Sequence, residues 1–359
     1  MAKRSAGIVL RHLDCCDFPV RGIELSCSAV GAGFDDVLVE RVECSGSGED
    51  GIGSWGPVAG EAYSYHRVIV RDSTFHGNRG RAAKRDLHRG NGIILGDCQD
   101  SRIERCAAWG NDDLCHSNAG GPVGIWLCES TRSVIRDCVS FLNRTGAGVP
   151  DGGGFDLDGG CTGCVIEGCL SWGNDGAGYL ICQYPEARPL CGNVIRDCWS
   201  IGDGRARNNG GFYVFGAASS TLVDCCTIIT VPTPTTAACW RVPGDTIDLQ
   251  IRNCRHLALS GAPLYPDITS RGVSFGGNTW WPEHGFSCPP VDRLEPWSPA
   301  QLPANIDEAW LATLPRPDAL GVPLEDRWAA VLRTAGCDPA PITGVGARPR
   351  LRYGPAPTP

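Results

Sequence analysis

The segment of this chain best suited to chemistry is Asp151-Gly152-Gly153-Gly154-Phe155-Asp156-Leu157-Asp158-Gly159-Gly160. On an extended strand Asp156 and Asp158 point to the same side, with Cβ atoms about 6.7 Å apart. Like charges at that range raise the pKa of one partner, which is what an acid/base pair needs. The separation falls inside the roughly 6.5–9.5 Å span of the carboxyl pairs of inverting glycosidases. Two other readings stay open. The same pair could hold Ca2+ through its oxygens, the one cofactor this chemistry suggests. Glycine-flanked aspartates also shape turns.

Other residues take supporting roles around that pair. Asp151 opens the segment, and Asp175 follows a turn asparagine one coil later, where Arg144 is the equivalent residue one coil earlier. Arg144 and Asp175 read either as an ion pair between coils or as substrate contacts at a groove edge. Trp126 and Tyr213 are placed to stack on sugar rings. His116, in Asp112-Asp113-Leu114-Cys115-His116, and Lys84 are candidate bases or partners for a uronate. These residues define two enzymatic readings. One is a glycoside hydrolase using Asp156 and Asp158, with Asp151 and Asp175 supporting. The other is a lyase in which Arg144, His116 or Lys84 removes a proton while Ca2+ neutralises the acid. A third reading is a non-catalytic solenoid that binds carbohydrate.

The elements that must position these residues recur along the chain. Two apolar residues, two more residues and a cysteine repeat as Val134-Ile135-Arg136-Asp137-Cys138, Val165-Ile166-Glu167-Gly168-Cys169 and Val194-Ile195-Arg196-Asp197-Cys198. Placing Cys15, Cys44, Ser73, Cys106, Cys138, Cys169, Cys198, Cys225 and Cys254 in register gives steps of 27 to 33 residues. A second strand recurs between them as Gly92-Ile93-Ile94-Leu95, Gly124-Ile125-Trp126-Leu127, Gly154-Phe155-Asp156-Leu157, Gly178-Tyr179-Leu180-Ile181 and Gly211-Phe212-Tyr213-Val214. Its alternation demands one buried face. The outward residues Ile94, Trp126, Asp156, Leu180 and Tyr213 would form an exposed groove floor. A turn recurs with Asn78, Asn111, Asn143 and Asn174, and Asp203 in the next coil, suited to side-chain bonds between coils.

Short strands, regular turns and a coil of about 30 residues describe a right-handed parallel β-helix, an all-β solenoid. A helical repeat would need 3.6-residue apolar spacing and few glycines, whereas this chain has 48 glycines, 26 prolines and one methionine. The 21 cysteines are odd in number and follow the repeat, so they read as reduced, buried and small rather than as disulfides. Cys161-Thr162-Gly163-Cys164 has no second CxxC or paired histidines and reads as a coil corner rather than a zinc site. Long insertions at 79–91, 112–123, 144–153 and 204–210 fall at one place in the coil and would wall the groove, with a further loop at 184–191. A net charge of −8 argues against non-specific attraction to nucleic acid, and no apolar stretch is long enough to span a membrane. The solenoid is expected over 1–288 and a proline-rich extension with one short helix, at Leu324 to Arg333, over 289–359. Register already fits near residue 15, without a polar cap, so a preceding segment, residues 1–12 themselves, or a second copy of the chain is expected to cover the open end. No export signal is read in the first residues.

Through Gly120 to Trp126, Asn143-Arg144-Thr145-Gly146, Asp151 to Gly160 and Asn174 to Tyr179, the chain resembles bacterial right-handed parallel β-helix repeat proteins, relatives of the pectate lyase-like superfamily. The likeness is densest over residues 90–215. It implies the fold, a polysaccharide or oligosaccharide partner and a secreted location. That superfamily spans lyases, glycoside hydrolases, epimerases and adhesins, so the activity stays open. The paired Asp-Asp with a nearby His-Gly of polygalacturonases is absent, as is the Asp-Pro-His-Glu signature of alginate epimerases.

Overall fold

The computed structural model describes residues 3–282, apart from positions 88, 119, 147, 208, 231–232, 234, 236–237 and 259–266. The expected extension at 289–359 and its helix lie outside the described residues. Among the described residues, three parallel sheets of eleven, ten and nine strands wind about one axis, successive coils adding a strand to each sheet and one coil adding a second short strand, Cys98–Gln99, to the first. The Val-Ile strands form the first sheet, the glycine strands the third. The segment read from sequence as a turn begins with a strand of the second sheet: Thr74–His76, Ala107–Trp109, Val139–Phe141 and Leu170–Trp172. Described residues contain no helix, so none long and apolar enough to cross a membrane.

The sequence dictates this winding through alternation and corners. Val134 and Arg136 point outward while Ile135 is buried, and Ile103, Ile135, Ile166 and Ile195 stack inside in register. The bend into the second sheet needs a left-handed residue, supplied by Asp72, Arg105, Asp137, Asp197, Cys225 and Asn253 at φ of 52 to 57°. Cys225 is therefore the corner residue, and Cys226 holds the column position assigned to it from sequence. Cys15 and Cys44 are likewise displaced. They pair with each other and with Phe75 inside the second sheet, while Val42 precedes Ser73 in the column. The column recruits groups that are small yet can hydrogen-bond. Cys106 N–H donates to Cys138 Sγ at 3.4 Å, Cys138 N–H to Cys169 Sγ at 3.5 Å, and Cys254 N–H to Asn278 Oδ1 at 2.9 Å. Every described cysteine is unpaired, and Cys161 and Cys164 lie buried in the core on either side of the left-handed Gly163.

A file of buried asparagines runs along the next bend. Asn78 Nδ2 donates to Asn111 Oδ1, Asn111 Nδ2 to Asn143 Oδ1 and Asn143 Nδ2 to Asn174 Oδ1, each at 3.0 Å, and Asn174 Nδ2 reaches Asp203 Oδ1 at 2.8 Å. Asn143 is fully buried, so its match to a glycosylation sequon has no accessible acceptor. Asn143→Leu would break the file in a dry interior, removing the acceptor of one Asn111 amide hydrogen and one of the two donors to Asn174 Oδ1, whose other donor is the Asn143 backbone N–H. It is expected to cost about 4 kcal/mol, read as a lowered urea midpoint with unchanged slope.

Candidate functional site

The acid segment sits on the third sheet in the strand Gly153–Leu157. Gly154 starts the inward run because a Cβ there would lie 2.2 Å from Ser171 Oγ and 2.8 Å from Gly178 O. Phe155 and Leu157 then face the core, with the Phe155 ring stacked on Tyr179 at 5.2 Å, which turns Asp156 outward. Register confirms the outward column: Ile94 pairs with Trp126, Trp126 with Asp156, Asp156 with Leu180, and Leu180 with Tyr213.

Exposure corrects the sequence reading of an open groove floor. Ile94, Trp126, Asp156 and Leu180 are all buried although they point away from the core. Ile94, Val123, Trp126 and Cys128 form a second apolar cluster with Trp55 packed against it. The Trp126 indole N–H donates to Asn91 Oδ1 at 3.0 Å, and Asn91 Nδ2 donates to Asp50 Oδ1 at 2.8 Å. Trp126 is thus a covered structural residue here rather than a platform for sugar. The face opens only farther along. Asp158, Cys182 and Tyr213 are half-buried, and Phe215 is 46 % exposed. The Arg241 guanidinium lies 5.4 Å from the Tyr213 ring centroid.

Three aspartates meet where the face opens. Asp156 Oδ1 is buried with no hydrogen-bond partner. Burial, then the neighbouring Asp158 and Asp151, push its carboxyl well above the usual range. Asp158 is pushed up to about 7, chiefly by burial and further by Asp151, against the Gly159 N–H and the Cys182 thiol. Asp151, held at a left-handed φ of 61°, accepts from Gly121 N–H at 2.8 Å. Burial lifts it to about 6, while that bond and the charge of Arg207 hold it down. The site therefore holds carboxylic acids of graded proton affinity on one surface.

The remaining candidates lie elsewhere. Arg144 Nη1 contacts Asp175 Oδ1 at 3.2 Å, and Asp175 Oδ2 accepts from Thr145 N–H at 3.2 Å. The ion pair between coils therefore exists, and Arg144 lines a cavity of about 500 Å3 at the asparagine bend with Arg79, Trp109 and Asp113. His116 packs against Gly146, beside which Arg207 Nη2 donates to the Gly146 carbonyl at 2.8 Å. Among the described residues no hydrogen bond ties His116 to the three aspartates. Lys84 is exposed in the first insertion. Nor is any group of three or more His, Cys, Asp or Glu side chains arranged, among the described residues, to hold a metal ion. Asp156 and Asp158 alone would leave most of the roughly six to eight oxygens around Ca2+ to come from substrate or water.

Sequence reasoning missed Glu129, Tyr184 and Arg188, which close the other side of the face. Tyr184 O–H donates to Glu129 Oε1 at 3.4 Å, and Arg188 Nη1 lies 3.0 Å from Asp97 Oδ1. Their only signal was the insertion at 184–191, which follows the glycine strand whereas the others precede it.

Residues 16–187 match the family described as right handed beta helix region. Similar solved structures include pectate lyase Pel9A, at 14% identity and a TM-score of 0.45, covering 89% of this chain and 64% of that one. A glycoside hydrolase matches at 11% identity and a TM-score of 0.41 over 64% of this chain and 50% of its own. The PL6 family alginate lyase AlyGC matches at 12% identity and 0.39 over 81% and 50%. The chain thus spans between half and somewhat under two thirds of the proteins it resembles, and the likeness is one of fold. No curated protein matches by sequence. With three parallel sheets wound coil on coil and that match over residues 16–187, the chain folds as a right-handed parallel β-helix.

Proposed function

We propose that this β-helix is carbohydrate-active and hydrolyses a polysaccharide on the outer face of its third sheet, at Asp151, Asp156 and Asp158. The supporting observation is Asp158, a half-buried carboxyl with its pKa raised to about 7, next to Asp156, whose buried Oδ1 has no hydrogen-bond partner. Asp158 is the general acid: at neutral pH it still holds a proton to give to the glycosidic oxygen as that C–O bond breaks. Asp151, at about 6, is largely ionised and accepts a proton from the water whose oxygen bonds to the anomeric carbon. Asp156 lies deeper, where burial and the neighbouring Asp158 and Asp151 raise its carboxyl and favour the neutral form. Tyr213 and Phe215, on the open part of the face, contact the sugar chain.

A panel of neutral and acidic polysaccharides, each with Ca2+ and with a chelator, tests this reading. New reducing ends without ultraviolet absorbance, in both conditions, are expected. Absorbance from unsaturated uronates that needs Ca2+ would replace hydrolysis with elimination. Retention of a polysaccharide with no turnover would make the solenoid a binding protein.

A further inference from the structure

The insertion at 184–191 folds back across the coils over the acid face, and Arg188 fastens it. Its guanidinium donates to Gly60 O and Ala62 O, each at 2.7 Å, to Asp97 Oδ1 at 3.0 Å and to Glu129 O at 2.9 Å. It also lies 4.3 Å from the centroid of the Tyr63 ring. Arg188 N–H donates to Glu129 Oε2 at 3.3 Å, and Gln183 Nε2 closes the loop on Arg188 O at 3.1 Å. One side chain thus ties this strap to a loop 128 positions earlier. Buried carboxylates at Asp97 and Glu129 make the attachment costly to break.

The strap carries Tyr184 to the acid face. The Cδ1–Cε1 edge of its ring lies over Gly159, where a Cβ would come within 2.3 Å, so glycine at this position is what admits the ring. Gly159 adjoins Asp158, and the Cys182 thiol, two residues before Tyr184, lies beside the Asp158 carboxyl. Tyr184 remains 38 % exposed, whereas Trp126 on the same face is 2 % exposed. An aromatic body with a polar tip, fixed beside an acid and open to solvent, suits a sugar ring.

We propose that Tyr184 is the aromatic residue that meets the sugar next to Asp158, and that Arg188 is the positioning residue that holds it there. This rests on the polysaccharide reading above. Two measurements on the full chain test it. The first is the rate of iodoacetamide alkylation of Cys182, mapped by peptide mass. Burial and the nearby carboxylates push that thiol up and keep it slow, so a strap that lifts should expose it. Arg188→Ala is expected to speed Cys182 labelling about 10-fold while the core Cys138 and Cys169 stay protected. Unchanged Cys182 labelling in a protein whose core stays protected overturns the positioning role. If the core cysteines label as well, Arg188→Lys, which keeps one charge but loses the forked bonds, carries the same comparison.

The second measurement is affinity for whichever polysaccharide of the panel binds the unaltered protein. Tyr184→Ala is expected to weaken it about 10-fold with no change in thermal midpoint, the size of one lost aromatic contact. Equal affinity overturns the role of Tyr184. If the unaltered protein binds none of the panel, the polysaccharide reading fails and Tyr184's role with it, whereas the alkylation rates still decide the role of Arg188.

Discussion

Asp158→Asn is expected to lower turnover about 10³-fold and, at pH 8, to make the protein more stable. The first effect is the loss of a positioned general acid, worth typically 10²–10⁴ in rate. The second follows from the same environment. At pH 8 the folded chain must ionise a carboxyl that its surroundings hold at about 7, against an ordinary value of 3.8. At about 1.4 kcal/mol per pKa unit, that mismatch corresponds to stabilisation on the order of 4 kcal/mol when the charge is removed. Asparagine keeps the shape and cannot ionise. Initial rates and urea midpoints on the same preparation give both numbers. Full activity would remove Asp158 from the chemistry. Lost activity without added stability would mean that its proton is not held by burial, and the acid role would then lack its physical basis. Function and stability pulling in opposite directions at one residue is the signature expected of a site maintained for chemistry.

Stability itself should fall as pH rises from about 5 to 8, the reverse of the usual trend for a protein with an excess of acidic residues. Asp151 and Asp203 are pushed up to about 6 and Asp158 to about 7, in each case mainly by burial. Asp112, whose two carboxyl oxygens are buried without partners, and Asp156 are raised as well, chiefly by burial. Between the ordinary value near 4 and these raised values the folded chain binds more protons than the unfolded one, so the derivative of unfolding free energy with pH is negative. The contribution is complete below about pH 4 and is lost as pH rises through 6 to 7. Asp35, Asp36 and Asp100, lowered beside Arg4, Arg67 and Arg132, work in the opposite sense on acidification. A maximum near pH 4 to 5 results. Urea midpoints at half-unit intervals would display it, and a flat or rising profile to pH 8 would show that these carboxyls ionise freely in the folded state.

The repeat was legible because each coil must satisfy the same constraints at the same place. The outward column from Ile94 to Tyr213 and the bend from Asn78 to Asp203 follow directly from residue types, since glycine and asparagine there meet needs no other side chain meets. The cysteine column was misplaced at three positions because sulfur says nothing about φ. Only the left-handed corner distinguishes Cys225 from Cys226. Alternation fixes which side a residue faces and not what covers it, so Trp126 and Asp156 read as open while lying under other chain. Arg188 was invisible for a related reason. Its partners Gly60, Ala62, Asp97 and Glu129 are distant in sequence, and three of those contacts are to backbone oxygens that carry no residue signature.

The asparagine file has a direction, and with it comes a rule for how such a rod changes length. Each amide accepts from the coil before and gives to the coil after, so any coil between Asn78 and Asn174 can be copied or removed whole, at 31 to 33 residues a time, without leaving an unmatched group. At Asp203 the side chain has no N–H2 to pass on: its Oδ1 receives from Asn174 and its Oδ2 from Ser200. A duplicate inserted after that point would have to start its own file. The strap sets the limit to this freedom: Arg188 reaches Gly60, Ala62, Asp97 and Glu129 across several coils, so a coil added between them would part the strap from its anchors, and the length of the rod there is tied to the acid face.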